Sequence, residues 1–244
     1  MASDIDGDCV RTFAYNHPEA VCLKADVRTI TLKFLDKMLG EEFRPVGIIG
    51  GPPCQSFSVS NVHQTDDDPR HNLALAYAKL LKKLNKRHPI SFFLFENVPG
   101  LLGKRHRERY LQFKHEFQLA GFQVYEAALD AKDYRVPQER PRIFIVGINE
   151  SLHPEAKWSP PKPAGVPQTV RDTISGLPEP VFNARGLDPD TFPVHPNHWC
   201  LVPKSAKFQK ANLKEGQMFG RSFRTLRWDA PSWTVAYGHR EVHV

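Results

Sequence analysis

Two short, nearly continuous apolar runs constrain this chain most: "PVGIIGG" at 45–51 and "PISFFLFENV" at 89–98, with a helix-like pattern between them. Apolar runs of this length belong to strands covered on both faces. Between them, "NLALAYAKLLKKL" sets Leu73, Ala76, Leu80, Leu81 and Leu84 on one stripe and Lys79, Lys82, Lys83 and Lys86 on the other, which predicts an amphipathic helix. A strand, helix, strand order implies parallel strands joined by a right-handed crossover, so the fold class is α/β. Beyond it, "RERYLQFKHEFQLAGF" reads as a second helix stopped by Gly121. "QVYEAALDA" and "RIFIVGI" then read as two strands joined by "KDYRVPQERP".

The chain changes character near residue 150. Twelve of the 21 prolines fall in 151–244, where regular periodicity fades while Phe, Trp and Val keep recurring. The expected organisation is an α/β region over 1–150 and a smaller, loop-rich region over 151–244. No run of about 18 apolar residues is present, so no membrane span is expected. The start "MASDIDGDCV" has no basic segment followed by an apolar one and does not read as a secretory signal. Cys9, Cys22, Cys54 and Cys200 are scattered without a disulfide-framework spacing, which suits a reducing, cytoplasmic compartment. The net charge is +6. Residues 151–244 hold 12 Lys and Arg against 8 Asp and Glu, so two-thirds of that charge lies there and a polyanionic partner is permitted.

In an open α/β sheet, ligands bind beyond the carboxyl ends of the strands. "VGIIGG" runs out into "PPCQ", so Cys54 is expected at that edge, with Pro53 stiffening the strand end that aims it. "SFFLF" runs out into Glu96 and Asn97 at the same edge if the strands are parallel. An antiparallel strand starting at "QERPR" would bring Arg140 and Arg142 there too, with Gln138 in support. Taken singly, each has a plainer reading as a packed thiol or a solvent-facing charge. Together they place a thiol, a carboxylate and two guanidiniums at one edge. Arginines favour a thiolate, and a carboxylic acid can hydrogen-bond or protonate a substrate ring nitrogen.

"GGPPCQSFS", "FENVPGL" and "QERPRIFIVG", in this order and at these separations, resemble the signature blocks of the DNA (cytosine-5) methyltransferases. "DDPRHNL" resembles that family's mobile catalytic loop, and "RTLRWDAPSWTV" the segment leaving its DNA-recognition region. The resemblance is strong over about 3–150 and weaker beyond. It implies an S-adenosylmethionine-dependent, Rossmann-like sheet with a small target-recognition region. It also implies a reaction on a base flipped out of duplex DNA. Cys54 would add to ring position 6 of cytosine, and Glu96 would hold the adjacent ring nitrogen and read the exocyclic amine. Arg142 would contact the base, with Arg140 supporting it or the DNA backbone. Gln55 and Asn97 would order the site. The loop "SVSNVHQTDDDPRHN" would close over the nucleotide, and Ser56, Ser58 and Arg70 would meet DNA. On the cofactor side, "SDID" implies Asp4 on the ribose hydroxyls and Ile5 on adenine, while "ADVRT" implies Asp26 on the adenine amine and Val27 on its face.

The resemblance also sets expectations about what is missing. No glycine-rich "F-x-G-x-G" turn precedes Asp4, and the family's closing motifs do not follow "PSWTVAYGHREVHV". The expectation is a sheet lacking a strand near its centre, with both neighbours' backbone groups exposed, and no tight binding of S-adenosylmethionine by this chain alone. A complementary chain supplying that strand and loop would then be a partner. In the second region, "FGRSFRTLRW" interleaves Arg221, Arg224 and Arg227 with Phe219, Phe223 and Trp228, as guanine- or phosphate-reading residues would lie. An edge strand with ordinary exposed arginines fits equally. His195, His198 and Cys200 have no second ligand cluster for a closed zinc site, and no metal is expected. The alternatives are a catalytically incompetent DNA-binding fragment, one chain of a split enzyme, or an RNA (tRNA) methyltransferase of the same architecture. A cysteine hydrolase is disfavoured because no histidine sits in the edge motifs. The compact recognition region points to a bacterial restriction-modification or phage enzyme.

Overall fold

The computed structural model describes residues 1–52, 72–178, 181–182, 199–200, 214–219, 223–234 and 242–243. The chain forms two units, one of residues 1–129 with 141–161 and the other of residues 130–140 with 162–244.

In the first unit, β1 (Ala2–Asp4) lies parallel to β2 (Cys22–Lys24), with α1 (Gly7–Asn16) crossing between them. α2 (Leu32–Leu39) follows, capped by the Thr31 hydroxyl at its start and by Gly40, in the left-handed region at φ 83°, at its end. A second sheet has the order β3-β4-β6-β5, built from β3 (Gly47–Gly50), β4 (Phe92–Asn97), β5 (Phe122–Asp130) and β6 (Pro141–Asn149). β3 and β4 are parallel, joined through α3 (Asn72–Arg87), and β6 is antiparallel to β4. α4 (Arg107–Leu119) precedes β5, and Gly121, at φ 95°, makes the turn between them. The expected α/β class and strand, helix, strand order are thus found, with β1–β2 separate from the four-stranded sheet.

An aromatic cluster holds this unit together. Phe93 and Phe117 have ring centroids 4.5 Å apart, and Phe122 meets Phe93 edge-on at 5.2 Å. Tyr77 meets Phe95 and Phe117 edge-on at 5.7 and 6.1 Å. Each buried ring contributes about 1.5–3 kcal/mol by transfer from water, before its edge-to-face contacts. The core stripe of α3 is Ala74, Tyr77, Ala78, Leu81 and Leu84, one position round from the expected one. Leu73, Ala76 and Leu80 are only half-buried, while Lys79, Lys82, Lys83 and Lys86 are exposed as expected. The rotation follows from Tyr77, whose hydroxyl lies 3.0 Å from the Ile48 carbonyl and 3.2 Å from that of Leu94. Burial pushes the Tyr77 pKa well above the ordinary phenol value, keeping the hydroxyl a donor.

β3 departs from the expectation of a strand covered on both faces. Ile49 is 73% exposed because β3 ends its sheet. β4 alternates strictly, with Phe93, Phe95 and Asn97 buried. Two polar clamps hold α3, one to α2 and one to β6. Arg87, at the end of α3, donates to both Asp36 carboxylate oxygens at 3.0 and 2.8 Å, and Asp36 also accepts from the Phe43 N–H at 2.8 Å. Asn149, buried at the end of β6, donates to the Asn85 side chain at 2.9 Å and the Ile90 carbonyl at 2.8 Å.

The second unit contains α5 (Val170–Ile174), begun by a reciprocal capping box between Thr169 and Asp172. Its described strands are two residues long: β7 (Val181–Phe182), β8 (Trp199–Cys200), β9 (Met218–Phe219), β10 (Phe223–Arg224) and β11 (Val242–His243). β7 pairs parallel with β8, and β10 pairs antiparallel with β9 and parallel with β11. Arg171 lies over the Trp228 ring at 5.4 Å and forms a two-point ion pair with Asp229 at 2.7 and 3.2 Å.

Three predictions rest on these clamps and this core. Phe93→Ala is expected to lower unfolding free energy by about 3–5 kcal/mol. Gly147→Ala is expected to cost about 1–3 kcal/mol, because its Cβ would collide with the Phe93 ring. Urea denaturation measures both. The Phe43 N–H and the Arg87 guanidinium hold the Asp36 carboxyl below its ordinary pKa. Its folded pKa being depressed, its stabilisation is present above the unfolded value and is lost as pH falls through the folded one. Asp36→Asn should therefore lower stability at neutral pH and flatten the acid limb of a melting-temperature profile against pH.

Candidate active site

The site grows out of the register of β3, β4 and β6. Gly50 is paired with Phe95, so Gly51 follows at the level of Glu96, and a Cβ on Gly51 would lie 3.2 Å from Glu96 Oε2. A side chain there would press on the carboxylate, which would have to give by a few tenths of an ångström. On the other side of β4, Glu96 is opposite Phe144 and Asn97 opposite Ile143, so the start of β6 lies beside the end of β4. Arg142 reaches across from there, and its Nε lies 2.7 Å from Glu96 Oε1 in an ion pair. Its Nη1 donates to the Pro141 carbonyl at 2.8 Å. The Arg142 side chain is 15% exposed and that of Glu96 34%, so the pair is screened on the arginine side and open on the carboxylate side. An ion pair at this distance holds the Glu96 carboxylate beside the guanidinium.

Asn97 acts on the chain itself. Its side chain is buried, donates to the Pro52 carbonyl at 3.3 Å, and accepts from the Val98 N–H at 2.9 Å. The strand end leading to position 54 is thereby tied to the end of β4. Pro53, Cys54, Gln55, Ser56, Ser58, Arg70 and Arg221 lie outside the described residues, as does most of the "SVSNVHQTDDDPRHN" loop.

Arg140 and Gln138 belong to the second unit. The Arg140 N–H donates to Asp130 Oδ1 at 2.8 Å, and its carbonyl accepts from the Ala131 N–H at 3.2 Å. Gln138 forms a bridge with Ser232, flanked by Glu139 N–H donating to the Ser232 carbonyl at 2.8 Å and Ser232 N–H donating to the Pro137 carbonyl at 2.9 Å. The "VPQER" segment is thus held by "PSWT".

Asp4 and Asp26 leave the carboxyl ends of adjacent parallel strands. Asp4 is in register with Lys24, and its carbonyl accepts from the Ala25 N–H at 2.9 Å. Asp4 Oδ1 also accepts from the Asp6 N–H at 2.8 Å, and the Ile5 side chain beside it is 61% exposed. Asp26 accepts from the Arg28 Nε at 3.0 Å with both oxygens and from its N–H at 2.9 Å. These bonds to Arg28 hold its carboxyl below the ordinary value, so it is an ionised acceptor at neutral pH. Val27 is half-buried and lines a basic groove with Arg28, Lys79 and Lys83. The donor chemistry fits S-adenosylmethionine: two carboxylates for hydroxyl and amine donors, each next to an apolar residue for a ring face.

In the second unit, Arg227 is exposed and its guanidinium lies 5.7 Å from the Trp233 ring centre, while Arg224 is half-buried in β10. Among the described residues, no cluster of three His, Cys, Asp or Glu is placed to hold a metal, and no helix is long and apolar enough to cross a membrane. Sequence reasoning missed Gly51, although the double glycine ending "PVGIIGG" marks a place where backbone is approached closely.

Several known proteins match this chain. Residues 1–224 match the family described as C-5 cytosine-specific DNA methylase, whose members depend on S-adenosylmethionine. The type II methyltransferase M.MthTI of Methanothermobacter thermautotrophicus is 37% identical over 81% of this chain and 55% of its own length. M.NgoPII of Neisseria gonorrhoeae is 32% identical over 100% of this chain and 66% of its own. The chain thus spans between half and two-thirds of these relatives. A solved protein assigned as a DNA modification methyltransferase encoded within an Escherichia coli prophage shares the fold, with a TM-score of 0.73 at 24% identity over 96% of this chain and 74% of that one. The chain belongs to the C-5 cytosine-specific DNA methylase family.

Proposed function

We propose that this chain carries the catalytic groups for methylating carbon 5 of cytosine in duplex DNA, in a restriction-modification setting in a bacterial or phage-infected cytoplasm. The observation that carries the proposal is the Arg142–Glu96 pair at 2.7 Å, set beside Gly51 at a strand end that runs directly on to Cys54. The type II names of the relatives favour DNA over RNA as substrate.

Bound S-adenosylmethionine supplies an electrophilic methyl group. The Cys54 thiolate adds to carbon 6 of the flipped cytosine. Glu96 holds the adjacent ring nitrogen, delivers a proton to it and reads the exocyclic amine. Electron density is thereby pushed to carbon 5, where the methyl group is accepted. The ring nitrogen returns its proton to Glu96 as the new carbon–carbon bond forms, and loss of the carbon-5 proton to water then expels the thiolate and restores the ring. Arg142 orients Glu96 and faces the base, while Arg140 supports the base or the DNA backbone. Asn97 and Gln55 order the strand end that Pro53 stiffens, and Gln138 steadies the segment carrying the arginines. Asp4 and Ile5 receive the ribose and one adenine face, and Asp26 and Val27 the amine and the other face. Ser56, Ser58, Arg70, Arg221, Arg224 and Arg227 meet DNA.

Transfer of tritiated methyl from S-adenosylmethionine to duplex DNA tests the assignment. Cys54→Ser should abolish transfer, and Glu96→Gln should lower kcat by about 10²–10⁴. Gly51→Ala should lower kcat more than it raises KM, since the added methyl presses on the Glu96 carboxylate. Unchanged transfer in Cys54→Ser would overturn the proposal. For the DNA face, Arg227→Ala should weaken duplex binding and reduce the slope of log affinity against log salt by about 1. An unchanged slope would remove Arg227 from the interface.

A further inference from the structure

The connection between β5 and β6 holds a backbone outlier. Among the described residues, Arg135 is the one non-glycine residue with a positive φ, at 62° with ψ 22°, in the left-handed region. Arginine suits that conformation poorly, because its Cβ crowds its own backbone where glycine has none. The loop nevertheless turns on it. A short 3₁₀ turn, Ala131–Tyr134, ends at Arg135, and the N–H groups of Arg135 and Val136 both donate to the Ala131 carbonyl. The returning limb is pinned in turn. The Arg140 N–H donates to Asp130 Oδ1 at 2.8 Å, and the Thr234 hydroxyl donates to the Glu139 carbonyl at 2.5 Å. The corner is therefore held at a fixed place within the second unit. What it presents is a cation. Residues 131–134 and 137–140 are half-buried, while Arg135 and Val136 are exposed. Lys132 lies 3.8 Å from both Asp130 and Glu139, so those two carboxylates have a cation of their own. Among the described residues, no carboxylate pairs with Arg135.

We propose that Arg135 is a DNA-phosphate contact, a guanidinium held at a fixed corner of the segment that leads into Arg140 and Arg142. The role rests on the reading of this chain as a DNA methyltransferase, and it adds a contact outside the arginines already assigned. A left-handed backbone on a bulky residue is a cost to the fold, and outliers of this kind cluster where function holds them. Glycine would make the same corner without that cost, so what the arginine adds lies beyond the loop, in its side chain. The guanidinium fork matches a phosphate in two-point geometry, and an anchored backbone leaves less freedom to lose on binding. Val136 beside it, 44% exposed, offers an apolar surface to a deoxyribose. One cation and one apolar residue at a pinned corner are the complement of a nucleotide's phosphate and sugar. Such a contact carries no sequence information, so it serves every duplex alike.

Binding of the full chain to two duplexes of unrelated sequence, titrated with salt, tests this beside thermal unfolding of each variant. Arg135→Gly and Arg135→Asn both suit a left-handed corner, so the melting temperature is expected to stay unchanged or to rise. Both should reduce the slope of log affinity against log salt by about 1, equally on the two duplexes. Arg135→Lys keeps the charge and should keep the slope. An unchanged slope in the glycine and asparagine variants would overturn the proposal. So would a loss confined to one duplex, which would make Arg135 a reader of bases. A slope lost equally in Arg135→Lys, with a lower melting temperature in all three variants, would also overturn it and leave Arg135 a role in the loop alone. Failure of the unaltered chain to bind either duplex would sink the methyltransferase reading together with this contact. Normal binding by the unaltered chain with unchanged variant slopes would remove Arg135 only.

Discussion

Because β6 runs antiparallel to β4, a residue near the start of one strand lies beside a residue near the end of the other, although they are far apart in sequence. This pairing puts Arg142 next to Glu96 and Ile143 opposite Asn97. A parallel arrangement would have sent the arginine to the far end of the sheet. The same pairing seats Phe93 against Gly147, which has no side chain to collide with the ring, and closes the aromatic cluster around Phe117 and Phe122. Core packing and site geometry thus share one register, and slipping it by one residue would lose both.

The Glu96–Arg142 pair does more than attract. An isolated carboxylate at a strand end would sample several rotamers. The ion pair keeps one oxygen at Nε, and the other lies beside Gly51. The cofactor-side carboxylates are held by different means. Asp26 is gripped by its near neighbour Arg28, and Asp4 by the N–H of Asp6. Those two rest on local turn geometry, whereas Glu96 rests on the tertiary fold.

What could be read in the sequence follows that division. The strands, the two long helices and Gly121 were legible because apolar runs, helical periodicity and turn glycines are local signals. Glu96, Asn97 and Arg142 were legible as edge residues once the strand order was reasoned out. The Asp36–Arg87 clamp was not, since it joins residues 51 positions apart and neither sits in a motif. Tyr77 escaped for a related reason: its apolar ring fits a helix stripe, but only its hydroxyl, seeking two carbonyls of the sheet, decides which stripe faces inward. Ile49 was read as covered because a run of apolar residues does not reveal whether a strand has neighbours on both edges.

The tie from Asn97 to the Pro52 carbonyl has a consequence for how this architecture can vary. It anchors the backbone just before position 53 through main-chain geometry, independent of the side chains that follow. The root of the segment that bears Cys54 is therefore set by β4, while the carboxylate beside it is held by Arg142 of β6. In engineering terms Pro52 is a fixed root that any redesign of that segment would have to keep.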